Sequence, residues 1–110
     1  MERPLMMDTT KIRARVGSWR ASFEEQLAAL VEIPTVSMDP GRRADMDRCA
    51  ALAKQLLTDT AADANVHVDV IETPGHPLVL GRVVRDPSFP TVTIYNHLDV
   101  QPADAAEWRT

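Results

Sequence analysis

One cysteine, Cys49, is all the thiol this 110-residue chain contains. An internal disulfide is therefore excluded, and a reducing cytoplasm is the compartment that composition expects. Glycine is scarce as well: four residues, widely spaced, build no phosphate-cradling loop. A Gly-x-Ser-x-Gly elbow for a serine nucleophile does not occur. Apolar residues nowhere run long enough to cross a bilayer, and the opening "MERPLMMDTT" lacks the apolar stretch of a signal peptide. No membrane partner is expected. Positive charge is in deficit, with 12 Lys and Arg against 16 Asp and Glu and a formal net charge of −4. No basic stripe exists to displace phosphate counterions, and the pair Arg42-Arg43 is too short to serve as one, so nucleic acid is not expected as the main partner. Repeats, low-complexity tracts and interdomain linkers are absent too.

What is present is ordinary globular material, 45% apolar and 25% charged, with room for one small domain or part of a larger one. Ile12, Val16, Trp19, Phe23, Leu27, Leu30 and Val31 recur at spacings of three and four, which predicts one long amphipathic helix. Asp8 or a following threonine can cap it, and Pro34 ends it. Asp39-Pro40 then reads as the start of a second helix, carrying Met46, Cys49, Ala50, Ala53, Leu56 and Leu57 on one stripe.

After Asn65 the period changes to two. "VHVDVIE" puts Val66, Val68 and Val70 on one face and His67 and Asp69 on the other. The turn "TPGHP" leads to "LVLGRVV", and "DPSFP" leads to "TVTIYNH", which predicts three strands with the first two antiparallel. The fold class expected is α/β, two helices followed by three strands. Residues 102 to 110 read as loop.

The third predicted strand ends at His97, and Asp99 follows two positions later. Ligands and catalytic groups in α/β proteins collect beyond strand carboxyl ends. Asp99 could accept a hydrogen bond from one imidazole nitrogen, fixing the tautomer and freeing the other nitrogen for a metal. By itself a His-x-Asp at a strand end suits a structural histidine or a solvated loop as well as a metal site. The competing residues have simpler readings. His67 and Asp69 face solvent across the sheet, His76 occupies a turn, and Cys49 belongs to a helix core. Asp104 and Glu107 are loop acids near His97, a place where acids are ordinarily solvated.

The longer stretch "TIYNHLDVQPADAAEW" resembles the first metal-binding segment of the zinc-dependent dipeptidases related to carnosinase. These sit in the wider metallopeptidase family with acetylornithine deacetylase, succinyl-diaminopimelate desuccinylase and glutamate carboxypeptidase. The matching parts are an apolar run from Thr91 to Asn96, His97-Leu98-Asp99, Val100-Gln101-Pro102 and Trp108. "LVEIPTVS" (Leu30 to Ser37) after the first helix and "VIETPGHPLVL" also match the family's order of elements. The family usually has glycine where Asn96 stands, a mild change because asparagine tolerates unusual backbone angles.

The resemblance implies that His97 ligates one of two zinc ions, other divalent metals being possible, while Asp99 orients it. It implies a metal-bridging water that attacks the amide carbonyl of a dipeptide or related substrate. The family's other ligands and its general base lie beyond this motif. The expectation is therefore an N-terminal portion (residues 1–110) of an α/β/α catalytic domain of the zinc-exopeptidase kind, cut by a cloning boundary, a frameshift or a gene fragment. The rest of that domain and the lid or dimerisation domain are expected to be missing. Such a fragment is expected to be inactive and prone to self-association, its parent a homodimer. The alternative is a truncated, non-catalytic module kept for binding another protein.

Overall fold

Asp8 opens the first helix, its carboxylate accepting from the backbone N–H groups of Thr10 (3.1 Å) and Lys11 (3.2 Å). Two otherwise orphaned amide donors are satisfied in this way, a cap worth about 1 kcal/mol. The computed structural model describes residues 8–61 and 65–108. Within them α1 runs Thr9–Ser18, α2 Arg20–Val31, α3 Arg43–Thr60, β1 Val66–Ile71 and β2 Leu78–Val83. Single 3-10 turns occupy Pro40–Arg42 and Ala105–Glu107.

The single long helix expected from the apolar stripe is two helices meeting at Trp19. Gly17 has poor helix propensity, and the Ser18 hydroxyl donates to the Arg15 carbonyl at 2.6 Å, competing with the regular ladder. The Trp19 amide closes a tight turn on the Val16 carbonyl (3.1 Å), and Ser22 donates its hydroxyl to the Trp19 carbonyl (2.9 Å). The Arg15 guanidinium sits 4.9 Å from the Trp19 ring centroid and covers the break with a cation–π contact. Beyond Val31 the helix closes ahead of Pro34, as expected, through Glu32 N–H to the Ala28 carbonyl at 2.9 Å.

Asp39 caps the turn before α3 by accepting from the Gly41 amide at 2.9 Å, with Pro40 at the first turn position. Cys49, Ala50 and Ala53 are buried on one stripe of α3, and the alanines permit close approach of the hairpin. Leu57 of the same helix lies over Gly81 of β2. The hairpin is antiparallel with Val66 opposite Val83 and Ile71 opposite Leu78. Val66, Val68 and Val70 are half-buried beneath α3, whereas His67 and Asp69 are exposed, the alternation the sequence predicts. Arg43 ties the start of α3 to the hairpin turn, donating to the Gly75 carbonyl at 2.6 Å and pairing with Glu72 at 3.4 Å.

The three-strand expectation is corrected. Among the described residues the sheet has two strands, and Thr91–Asn96 joins no ladder. A β-run is only as good as its hydrogen-bonding neighbour, and here nothing pairs with it. Val92, Ile94 and Tyr95 are all more than 80% exposed. The apolar faces of α1 and α2 are open as well, with Trp19 and Phe23 each more than half exposed. Among the described residues the buried set is correspondingly small: Ile33, Thr35, Cys49, Ala50 and Ala53. The Cα radius of gyration is 17.8 Å, against about 13 Å for a globule of this length. No helix among the described residues is long and apolar enough to cross a membrane.

Candidate metal centre

Thr35 is fully buried and organises the ground on which His97 stands. Its carbonyl accepts from the Val100 amide at 3.1 Å, and its hydroxyl donates to the Leu98 carbonyl at 3.3 Å. Two residues on, the Ser37 hydroxyl donates to Oδ2 of Asp99 at 2.8 Å. These three bonds strap Leu98–Val100 to the segment leaving α2. The result is visible in burial: Leu98, Asp99 and Val100 are half-buried, while every residue from Thr91 to His97 is exposed.

On this anchored stretch His97 and Asp99 meet. His97 Nδ1 lies 3.0 Å from Oδ1 of Asp99 and 3.3 Å from the Asp99 backbone carbonyl. Both partners can only accept, which puts the proton on Nδ1 and leaves the lone pair on Nε2. The His97 side chain is 77% exposed, so that lone pair faces open space. The Asp99 carboxyl is held below its ordinary range, first by the Ser37 hydroxyl, against an upward push from burial, and further by His97. It is an ionised carboxylate at neutral pH, suited to hold an imidazole by its rear nitrogen.

This donor arrangement fits one metal ligand with its orienting group. Among the described residues no set of three or more His, Cys, Asp or Glu side chains comes together to hold an ion. A catalytic zinc takes three protein ligands, more than the described residues bring together.

The remaining candidates resolve as follows. His76, at the turn between β1 and β2, is exposed but not merely solvated: its Nε2–H donates to the Ser37 carbonyl at 2.8 Å. His67 lies opposite Arg82 and Asp69 opposite Leu80 on the exposed sheet face. Burial pushes the Cys49 thiol up, with Arg48 pulling weakly the other way, the reverse of what a nucleophile needs. Asp104 caps the last 3-10 turn by accepting from the Ala106 amide at 2.9 Å, and Glu107 sits within that turn, so this part of the expected loop is locally ordered.

Sequence reasoning assigned no role to Thr35, Ser37 or His76. For Thr35 and Ser37 the signal was "IPTVS" itself, and for His76 the sequence carried none. A threonine and a serine spaced by two after a helix-ending proline form a short extended segment whose hydroxyls share a side.

No protein-family model matches the sequence. The chain is 34% identical to the Cys-Gly metallodipeptidase Dug1 of Schizosaccharomyces pombe over 96% of its own length and 24% of that protein's. It is 31% identical to the Cys-Gly metallodipeptidase Dug1 of Saccharomyces cerevisiae over 92% of this chain and 23% of that one. It is 32% identical to the β-Ala-His dipeptidase of Rattus norvegicus over 73% of this chain and 18% of the rat protein. In three dimensions it matches the solved structure of the Saccharomyces cerevisiae dipeptidase Dug1p with a TM-score of 0.70 and 27% identity. That match spans 87% of this chain and 22% of that one. The chain thus spans about a quarter of the length of these two Dug1 relatives.

Proposed function

From its resemblance to the metallodipeptidases over about a quarter of their length, we propose that this chain carries part of the metal site of a dipeptide-hydrolysing enzyme. The observation that carries the reading is the His97–Asp99 pair, in which Nδ1 is engaged and Nε2 is left free. Substrate class follows from the relatives' names: a dipeptide, cleaved at its single amide bond. Zinc is the metal proposed, two ions in the complete site, with other divalent ions able to bind the same imidazole. Residues 1–110 would form the first part of an α/β/α catalytic domain. A free, buried Cys49 suits the cytoplasm proposed for it.

Each residue's part in the chemistry is limited. His97 offers Nε2 as a ligand. Asp99 keeps the proton on Nδ1, fixes the plane of the ring and raises its basicity. Thr35 and Ser37 hold the backbone and carboxylate from which this is done. The metal, when bound, supplies a Lewis acid for the amide carbonyl and a water activated at neutral pH. With one ligand in hand, the 110-residue chain would bind zinc weakly and hydrolyse nothing measurable. Homodimer formation is proposed for the complete enzyme.

A second reading, a non-catalytic module that binds another protein, is favoured by the open apolar face of Val16, Trp19 and Phe23. Calorimetric titration with zinc separates the two. Weak binding that His97→Ala abolishes and His67→Ala leaves intact supports the metal-site reading. Zinc binding indifferent to His97→Ala would sink it, and submicromolar affinity for two ions would overturn the predicted inactivity.

A further inference from the structure

Asp99 can orient His97 only if its own carboxylate is prevented from turning. A carboxylate has two equivalent oxygens on a soft terminal torsion, and nothing within Asp99 itself decides which oxygen faces the ring. Ser37 decides it. Its hydroxyl donates to Oδ2 at 2.8 Å, which turns Oδ1 towards His97 Nδ1 at 3.0 Å.

Ser37 is itself gripped. Its carbonyl accepts from His76 Nε2–H at 2.8 Å, tying it to the hairpin turn. Two residues earlier, Thr35 is fully buried and bonded to both Leu98 and Val100. The hydroxyl is therefore presented from a fixed backbone on one side of Asp99, and the imidazole lies on the other. Three segments distant in sequence are thus linked in series: the turn at His76 holds Ser37, and Ser37 holds the carboxylate that faces His97.

Resting on the metal-ligand reading of His97 above, we propose that Ser37 is a positioning residue: by pinning Oδ2 of Asp99 it keeps the His97 proton on Nδ1 and leaves Nε2 unprotonated for a metal. Free imidazole side chains favour the opposite tautomer, with the proton on Nε2. The protein must therefore spend interaction energy to invert that preference, and an unpinned carboxylate does so less well. The Asp99 backbone carbonyl, 3.3 Å from Nδ1, survives loss of the serine because Val100 still anchors the backbone. Loss of Ser37 should accordingly weaken the preference without erasing it.

The experiment is nitrogen-15 NMR of the histidine side chains in the metal-free 110-residue chain, at about pH 8.5, where an ordinary imidazole is neutral. The wild-type chain should show His97 mainly as the Nδ1–H tautomer. Ser37→Ala should lower the ratio of Nδ1–H to Nε2–H about fivefold, as loss of one modest hydrogen bond implies. Ser37→Thr, which keeps the hydroxyl, should restore it. Ser37→Cys, close in size with a weaker donor, should give an intermediate ratio and replaces the alanine variant if that one does not fold. Thr58→Val removes a hydroxyl on α3 that bonds the Lys54 carbonyl and has no part in holding Asp99, and should leave the ratio alone. An unchanged ratio in Ser37→Ala, or an equal fall in Thr58→Val, overturns the positioning role. Because the readout needs no metal, a failed zinc titration with this tautomer effect intact would reject the metal reading alone.

Discussion

The Ser37 hydroxyl donates to the Asp99 carboxylate at 2.8 Å across 62 residues of sequence. That bond, with the two made by Thr35, joins the end of the first helical segment to the candidate metal centre. Among the described residues the other polar contact of the Asp99 side chain is with His97, two residues away.

Acid should undo this junction in a defined direction. The Asp99 carboxyl is lowered in the folded chain, chiefly by Ser37, so folding is favoured wherever the carboxylate is ionised. The contribution is fully present above the unfolded value near 3.8 and is lost as pH falls through the lower folded value. Ser37→Ala should cost on the order of 0.5 kcal/mol at pH 7, the low end for a hydrogen bond because the Asp99 side chain is 37% exposed. Urea midpoints of the two proteins should converge by pH 2. A constant gap from pH 7 to pH 2 would contradict the assignment.

Cys49 should behave as a buried, inert thiol. Burial raises its pKa above 9.0, so the folded state favours the neutral form. Stability owed to this is intact below the unfolded value and declines as pH rises through the folded one. A maleimide at pH 7.5 should react with the native chain at least about tenfold more slowly than with the urea-unfolded chain. Equal rates would show that α3 does not shield the sulfur.

The break at Trp19 offers a stabilising change. A Cβ built at Gly17 meets nothing within 4 Å, and no glycine in the described residues has a positive φ. Gly17→Ala should therefore add about 0.5–1 kcal/mol to the α1–α2 segment. Circular dichroism should show higher helical content and a higher thermal midpoint. A fall in either would mean that the break needs glycine for a reason other than propensity.

Thr91–Asn96 should drive self-association. It combines β-branched and aromatic residues, carries no charge, and exposes Val92, Ile94 and Tyr95 almost completely. Sedimentation velocity at rising concentration should show a growing weight-average coefficient for the wild-type chain. Ile94→Lys should reduce that growth, since one charge on an unpaired edge opposes pairing with a second copy. Monomeric behaviour of both at every concentration would remove the basis for expecting association.

The sequence by itself determined whatever depends on near neighbours. Asp8 and Asp39 cap because their carboxylates reach amides two or three positions on. Pro34 stops a helix because it has no N–H. The alternation from Val66 to Ile71 settles which face α3 covers, and the short turn at residues 73–77 settles an antiparallel register. The contact of His97 with Asp99 belongs here too, since a side chain two residues away is within reach. The Gly17-Ser18 pair even held a signal for the helix break, although the unbroken apolar stripe masked it.

Tertiary structure decided everything that needs a partner from elsewhere in the chain. "TVTIYNH" has every property of a strand and is not one among the described residues, because strand formation requires a neighbouring backbone and a sequence pattern cannot supply it. Ser37 and His76 look like ordinary polar loop residues until the fold brings Ser37 to Asp99 and His76 to Ser37. Hydrogen bonds spanning 39 and 62 positions leave no periodicity to read. The ring tautomer that fits His97 to a metal is thus legible in two residues of sequence, while the grip that holds it appears only when the chain is folded.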